Sequence, residues 1–409
     1  MSKALRVALL FFLSLGGIQS KAQFPIHIEA ENVAKSSRTD SIPCVEGNKC
    51  LRMDLNGWAD YNVTISTAGI YKVSMRVAGT PTNVWVYDTL WNCLGKLHFI
   101  DGTASDQSYT TISGSIYLKA SVGKIRLQPR GSTFDTRHAA LNVNWLEIAQ
   151  TNLLVSNDFE SDWEPYYYTF FPWQSDKADS LSSTWQTGTG FYGWIKQTAR
   201  PESMVLHNNK SGMDVSALKF ELAKSDSSTW PNVRAEIYKT ACPSQQMWFG
   251  FNFMSPTDVT GDGLAHTLFQ MHGQGGGLSP CISIRVENGR YNMKVLWSSV
   301  FNPTTHQGEV TYDLGEYETG VWVKWVMYVK FAWDNTGMLQ LWKDGIEVAT
   351  RLNLPNCYNE SSWPYPKFGI YKWGWTPQWA SYSPYNVLTH YYDSLRIGGS
   401  SSSYSEVTH

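Results

Sequence analysis

The chain has 409 residues, long enough for two or three domains with cores of their own. Its 33 Lys and Arg nearly balance 35 Asp and Glu, so no basic field argues for a nucleic-acid partner. The 19 Trp and 22 Tyr are heavy usage; sandwich cores account for most of them, and the rest suit flat surfaces on which rings of a ligand stack.

The N-terminus reads as a signal peptide over residues 1–22. Lys3 and Arg6 supply the positive start, and Val7 to Leu15 form an apolar run too short to span a bilayer. Ser20-Lys21-Ala22 places small residues at the cleavage positions, so the mature chain is expected to begin near Gln23 and to be secreted or periplasmic. No other stretch is apolar enough for a transmembrane helix. Of the six cysteines, none has CxxC metal spacing. In an exported chain disulfides are the default. Cys44 and Cys50, which flank a Val-Glu-Gly-Asn turn, are the expected pair; the connectivity of Cys93, Cys242, Cys281 and Cys357 stays open.

Residues 23–150 read as short strands broken by Gly, Asn, Asp and Thr. Tyr61–Ile65, Gly69–Val77, Val84–Tyr87, Lys124–Leu127 and Asn142–Ile148 carry the β pattern. Strands at this spacing without helices predict a β-sandwich. The segment resembles a family-6 type carbohydrate-binding module. The resemblance rests on Ile28-Glu29-Ala30-Glu31-Asn32, Gly57-Trp58-Ala59-Asp60-Tyr61-Asn62-Val63, Ala68-Gly69-Ile70-Tyr71 with Arg76-Val77-Ala78, and Leu141-Asn142-Val143-Asn144-Trp145-Leu146-Glu147. It implies a sugar site using Asn142 and loop aromatics, with Trp91 and Trp85 as the stacking candidates. It also implies a structural calcium held by Glu29, Glu31 and a last-strand position that here is Asn144 in place of aspartate, one charge fewer for the ion.

A short linker, Thr151 to Ser156, predicts that the two domains pack together. Residues 153–399 again read as strands: Ala217–Leu222, Val233–Ile237, Gln246–Phe253, Thr267–His272, Ile282–Val286, Tyr291–Leu296, Val323–Lys330, Met338–Trp342, Lys367–Tyr371 and Tyr391–Ile397. Asp344-Gly345 is a hairpin turn signal. The count and spacing predict an all-β chain whose second domain is a two-sheet jelly roll with one concave face. The serine-rich residues 400–409 read as a frayed tail.

Three strands of this domain pair polar residues at spacing two. Arg234 and Glu236 share a face; so do Gln270 and His272, and Lys367 and Tyr371 across Gly369. Each pair alone fits a merely wet sheet face. Together they suit β-elimination of a uronic acid polymer. The carbon-5 proton beside the carboxylate becomes removable once cations or donors offset the carboxylate charge. Arg234 and Gln270 suit that task, Arg234 by bidentate grip. Neutral His272 suits the base, Tyr371 the acid for the leaving oxygen, and Lys367 the group that lowers the phenol's pKa. Glu236, Lys372 and Trp373 are expected at the substrate, and Gly369 is expected to be small so that a uronate lies between Lys367 and Tyr371.

The motifs Val233-Arg234-Ala235-Glu236-Ile237, Gln270-Met271-His272 and Tyr365-Pro366-Lys367-Phe368-Gly369-Ile370-Tyr371 resemble those of alginate-lyase-like jelly-roll polysaccharide lyases. The stretches Gly320–Lys330 and Asp334–Gly345 resemble the heparin lyase I and glucuronan lyase branch. The resemblance implies a carbon–oxygen lyase with an acidic polysaccharide as its partner and no catalytic cofactor. It implies the same roles for Arg234, Gln270, His272, Lys367 and Tyr371, and Asp393 as a ligand should the branch's calcium be present. Pro366 stands where these lyases often carry an aromatic. A monomer is expected. A jelly-roll glycoside hydrolase would need paired carboxylates, and no Glu-x-Asp-x-x-Glu run occurs. A non-catalytic sugar-binding protein would need neither base nor acid.

Overall fold

The computed structural model describes residues 25–408 except 80–81, 92, 100–102, 131–139, 158–194, 199–202, 208–216, 229–232, 240, 257–259, 276 and 377–382. The expected signal segment lies outside the described residues. No helix among them is long and apolar enough to cross a membrane.

The first domain is a sandwich built from a nine-stranded sheet. Its main path runs Cys93–Phe99, Thr82–Tyr87, Lys124–Arg130, Gly47–Asn62, Ala140–Gln150, Gly69–Gly79 and Thr110–Leu118, with Ile26–Glu29 and Lys35–Cys44 attached at the side. Period-two alternation decides its core. Tyr71, Val73, Met75 and Val77 are buried and pack with Leu127, Leu141 and Leu146, while Lys72 between them is exposed. Cys44 and Cys50 are joined, closing the hairpin of the Lys35–Cys44 and Gly47–Asn62 strands as the sequence suggested.

The linker is itself a strand, Leu153–Asn157, paired with Val387–Gly398 of the second domain. Ile70 of the first domain joins Leu153 and Leu154 in the second domain's core, and Thr151 N donates to Ile70 O at 2.9 Å. The expected frayed tail is instead folded. Tyr404–Val407 forms a helical turn with a capping box from Ser403 and Glu406, Val407 is 1% exposed, and Tyr404 packs edge-on to Trp342. Composition suggested fraying; the burial of one valine and one aromatic outweighs it.

The second domain is the expected jelly roll of two sheets. One runs Met204–His207, Ala217–Ala223, Val387–Gly398, Gln246–Met254, Val323–Lys330, Met338–Lys343, Ile346–Leu352. The other runs Ile195–Thr198, Arg234–Tyr238, Tyr365–Tyr371, His266–His272, Ile282–Glu287, Arg290–Phe301, Gly308–Glu316. Phe249 and Phe251 of the first sheet meet Phe269 of the second at 5.6 and 5.5 Å between centroids, and Phe251 meets Phe368 edge-on. Such aromatic pairs add about 1 kcal/mol each beyond the area they bury. Asp344 and Gly345 take left-handed conformations at φ 51° and 82°, the hairpin turn their sequence announced. The outer strands Gly308–Glu316 and Ile346–Leu352, not anticipated from sequence, complete the sheets.

Candidate active site

The three polar pairs lie on neighbouring strands of one sheet. Tyr365–Tyr371 is the middle strand, with Arg234–Tyr238 on one side and His266–His272 on the other. Ala235, Ile237, Leu268, Phe269, Met271, Phe368 and Ile370 point into the core, which turns the alternate residues to the opposite face. Register then fixes neighbours: Arg234 stands across from Tyr371, Glu236 from Gly369 and Tyr238 from Lys367. On the other side Gln270 stands across from Lys367 and His272 from Tyr365.

This register contains a bulge. Between Thr267 and Phe269 the pairing slips against both neighbouring strands: Leu268 is the extra residue against Ile282–Glu287, whereas against Tyr365–Tyr371 it alone stands opposite Gly369 and Ile370. Gly369 sits at φ 127°, and a Cβ placed there would lie 2.2 Å from Ala235 O. The glycine is therefore required by the close approach of the Arg234–Tyr238 backbone, and the expectation that it is small to make room for a sugar is corrected. Gly369→Ala is expected to destabilise the fold by on the order of 3 kcal/mol; a denaturation midpoint equal to wild type would contradict this.

At the centre is Glu236, 1% exposed. Its Oε2 is 2.7 Å from Lys367 Nζ and 3.7 Å from Arg234 Nη1, and Oε1 accepts from Gln270 Nε2. Two expectations change here. Glu236 is a buried clamp and not a substrate contact. Gln270, also 1% exposed, gives one of its two amide N–H bonds to Glu236. Lys367, 2% exposed, pairs with Glu236, so the cation that meets the Tyr371 ring is Arg234, at 4.3 Å. Burial pushes the Lys367 pKa down, and Glu236 opposes that shift.

Two partly exposed groups flank the clamp. At one end are Tyr371, Arg234 and Trp373, whose ring is 5.7 Å from that of Tyr371. Arg285 joins them, 5.2 Å over the Trp373 ring, with its Nε donating to Ser283 Oγ at 2.7 Å. At the other end are His272 and Tyr365, with rings 5.4 Å apart and nearly parallel, and Tyr238 at 5.6 Å from Tyr365. His272 Nδ1 lies 2.8 Å from Gly273 O. A carbonyl only accepts, so Nδ1 carries the proton and Nε2 keeps its lone pair. Burial pushes the His272 pKa below its ordinary value, and Lys367 adds to the shift. Burial first, then Tyr238 and Glu236, pushes the Tyr365 phenol up to about 12. Glu360 accepts from the backbone N–H of Gln274 at 2.6 Å and Gly275 at 2.8 Å, fixing the turn that follows His272.

Sequence reasoning missed Tyr365, Tyr238 and Arg285. Alternation could have found the first two, which lie two residues from Lys367 and Glu236; Arg285 stands across from Thr267 and Asn292, and no residue expected at the site shares its strand. Glu360 carries no such signal, since it reaches the site from a loop.

Other expected residues lie elsewhere. Lys372 is fully buried, 3.1 Å from Asp262 Oδ2, with Leu264 O accepting at 2.8 Å. The strand ends at Tyr371, and the 3₁₀ turn Trp373–Trp375 that follows carries Lys372 inward, so it is no substrate contact. Asn142 is 1% exposed and donates to Asp106 O at 2.7 Å, which removes it from a sugar site. Trp91 is 43% exposed and packs with Trp58, Tyr87 and the Arg126 guanidinium, itself bound to Asp60. Trp85 is buried. Glu29 faces His27 at the surface, and Asn144 Nδ2 lies 3.5 Å from Glu46. Asp393 accepts from the backbone N–H and hydroxyl of Ser394. Among the described residues no group of three or more His, Cys, Asp or Glu gathers to hold a metal.

No curated protein sequence matches the chain. Among solved structures, the endo-β-1,4-glucuronan lyase of the fungus Trichoderma reesei is 19% identical, with a TM-score of 0.41 over 50% of this chain and 89% of that one. The C-terminal CBM6 of a laminarinase from Zobellia galactanivorans is 23% identical, with a TM-score of 0.27 over 31% of this chain and 99% of that one. A CBM6 from Clostridium stercorarium in complex with cellobiose is 21% identical, with a TM-score of 0.27 over 31% of this chain and 94% of that one. The family model described as polysaccharide lyase matches residues 173–396, more than half the chain and nearly all of the jelly roll that carries the Glu236 clamp. By that match the protein belongs to the polysaccharide lyase family.

Proposed function

We propose that this lyase is secreted and cleaves a uronate-containing polysaccharide (glucuronan, a heparin-type chain or alginate) by β-elimination. The observation that carries the reading is the tautomer of His272: Nδ1–H is spent on Gly273 O, and burial keeps the ring neutral, so Nε2 is a base at neutral pH. Arg234 offsets the substrate carboxylate, and Arg285 extends the positive surface beside Trp373. Tyr371 protonates the leaving oxygen. The Arg234 guanidinium lies 4.3 Å over its ring. The buried clamp of Glu236, Lys367 and Gln270 holds the three strands in register beneath.

A second reading follows from the register. Tyr365 and Tyr371 are separated by about 20 Å of strand, less the bulge, and His272 stands opposite Tyr365, so His272 and Tyr371 meet one sugar only where the curve of the concave sheet brings their tips together. Tyr365 already faces His272 at 5.4 Å and could take the acid's place. Against it stands its pKa of about 12. A neighbouring carboxylate and a second phenol disfavour the phenolate it would leave.

Incubation with glucuronan, heparin and alginate tests the function. The elimination creates a carbon–carbon double bond conjugated to the carboxylate, so ultraviolet absorbance should grow on at least one polymer. Saturated products, or no cleavage of any of the three, would overturn the reading. The base also predicts a pH profile. A neutral histidine is required, and its pKa is lowered, so the acid limb of kcat/KM should fall below about 6.5, the ordinary histidine value. An acid limb above that value would remove His272 from the role.

The aromatic surface of Trp91 and Trp58 on the first domain is proposed as the face that touches polymer. It replaces the Asn142 site expected from sequence.

A further inference from the structure

We propose that Tyr392, which belongs to the opposite sheet and touches no substrate, is a positioning residue for the catalytic strands. Tyr392 lies on the Val387–Gly398 strand and is 2% exposed. Its ring packs among Phe220, Phe251 and Phe253, with Phe368 at 6.4 Å across the core. Its hydroxyl lies 2.6 Å from Leu268 O and 3.1 Å from Gly369 O, and shares its proton between them. These carbonyls belong to the bulge: Leu268 interrupts the pairing of His266–His272, and Gly369 is the left-handed residue opposite.

In a regular strand such carbonyls stay in the ladder. Here both are within reach of a hydroxyl rising from the other sheet, so one buried proton ties the two strands together where their register slips. The consequence is geometric. On one side of the slip Thr267 stands across from Tyr371; on the other Gln270 stands across from Lys367 and His272 from Tyr365. A one-residue shift between these two strands would turn Tyr371 and Lys367 together to the face away from Gln270 and His272. Tyr392 thus sets how Tyr371 stands relative to Gln270 and His272. This inference rests on the reading of Tyr371 as the acid.

The test compares Tyr392→Phe, Tyr358→Phe and Tyr371→Phe in the full chain, on whichever of glucuronan, heparin and alginate the wild type cleaves fastest. Tyr358 is the matched control, 3% exposed with its hydroxyl donating to Ser279 O at 2.9 Å, away from the bulge. Both Tyr392→Phe and Tyr358→Phe keep the ring and lose a buried hydroxyl, so their denaturation midpoints should fall alike. Tyr392→Phe should also lower kcat about tenfold with KM within about twofold, while Tyr358→Phe keeps both. Equal kcat in those two variants would overturn the inference, leaving Tyr392 a structural residue. Wild-type kcat in Tyr371→Phe would instead overturn the reading of the acid, a separate outcome visible in the same assay.

Discussion

Tyr371→Phe is expected to lower kcat by a factor of about a hundred or more, with a smaller change in KM. The phenol donates its proton only as the glycosidic oxygen leaves, so the interaction exists in the transition state and hardly at all in the bound substrate. Removing the hydroxyl leaves the ring, and with it the contacts to Arg234 at 4.3 Å and to Trp373 at 5.7 Å. The fold should therefore persist, and the loss should appear in turnover. Tyr365→Phe is the necessary companion, because Tyr365 is the phenol beside His272. If Tyr365→Phe loses turnover while Tyr371→Phe retains it, the acid is Tyr365 and the assignment to Tyr371 is wrong.

Glu236→Ala should be the most damaging substitution to stability in the site, at about 3–5 kcal/mol. The carboxylate is 1% exposed and balances the Lys367 ammonium at 2.7 Å. Without it that cation, with a side chain 3% exposed, is left uncompensated, and the Gln270 amide loses its acceptor. Chemical denaturation measures the cost. Glu236→Gln should lie between wild type and Glu236→Ala, because an amide oxygen still accepts from Gln270 but brings no charge to Lys367. Pairing it with Lys367→Met should recover much of the loss, since the unbalanced charge is then gone. A Glu236→Ala midpoint within about 1 kcal/mol of wild type would mean that the clamp contributes little.

The same clamp shows how far the sequence reaches. Alternation placed Arg234 with Glu236, Gln270 with His272 and Lys367 with Tyr371, each pair on one face, and the structure keeps all three pairs there. What alternation cannot supply is which residue of one strand stands opposite which of the next. Register decided that Lys367 meets Glu236 and that His272 meets Tyr365, and so moved one expected substrate contact and the expected partner of the Tyr371 phenol into a buried ion pair. Lys372 failed for a related reason: period two holds only while the strand continues, and it ends at Tyr371.

By itself the sequence determined the all-β class, the jelly roll, the Cys44–Cys50 bridge, the Asp344-Gly345 turn and the three site strands. These follow from local conformational preference and side-chain period, which act over a few residues. Only the tertiary structure decided the bulge at Leu268 and Gly369, the Glu236 clamp, the folding of the tail around Val407 and the removal of Asn142 and Lys372 from ligand surfaces. Those depend on groups brought together from distant parts of the chain. There the cost of burying a charge or a carbonyl unpaired selects the partner, and no local pattern records that cost.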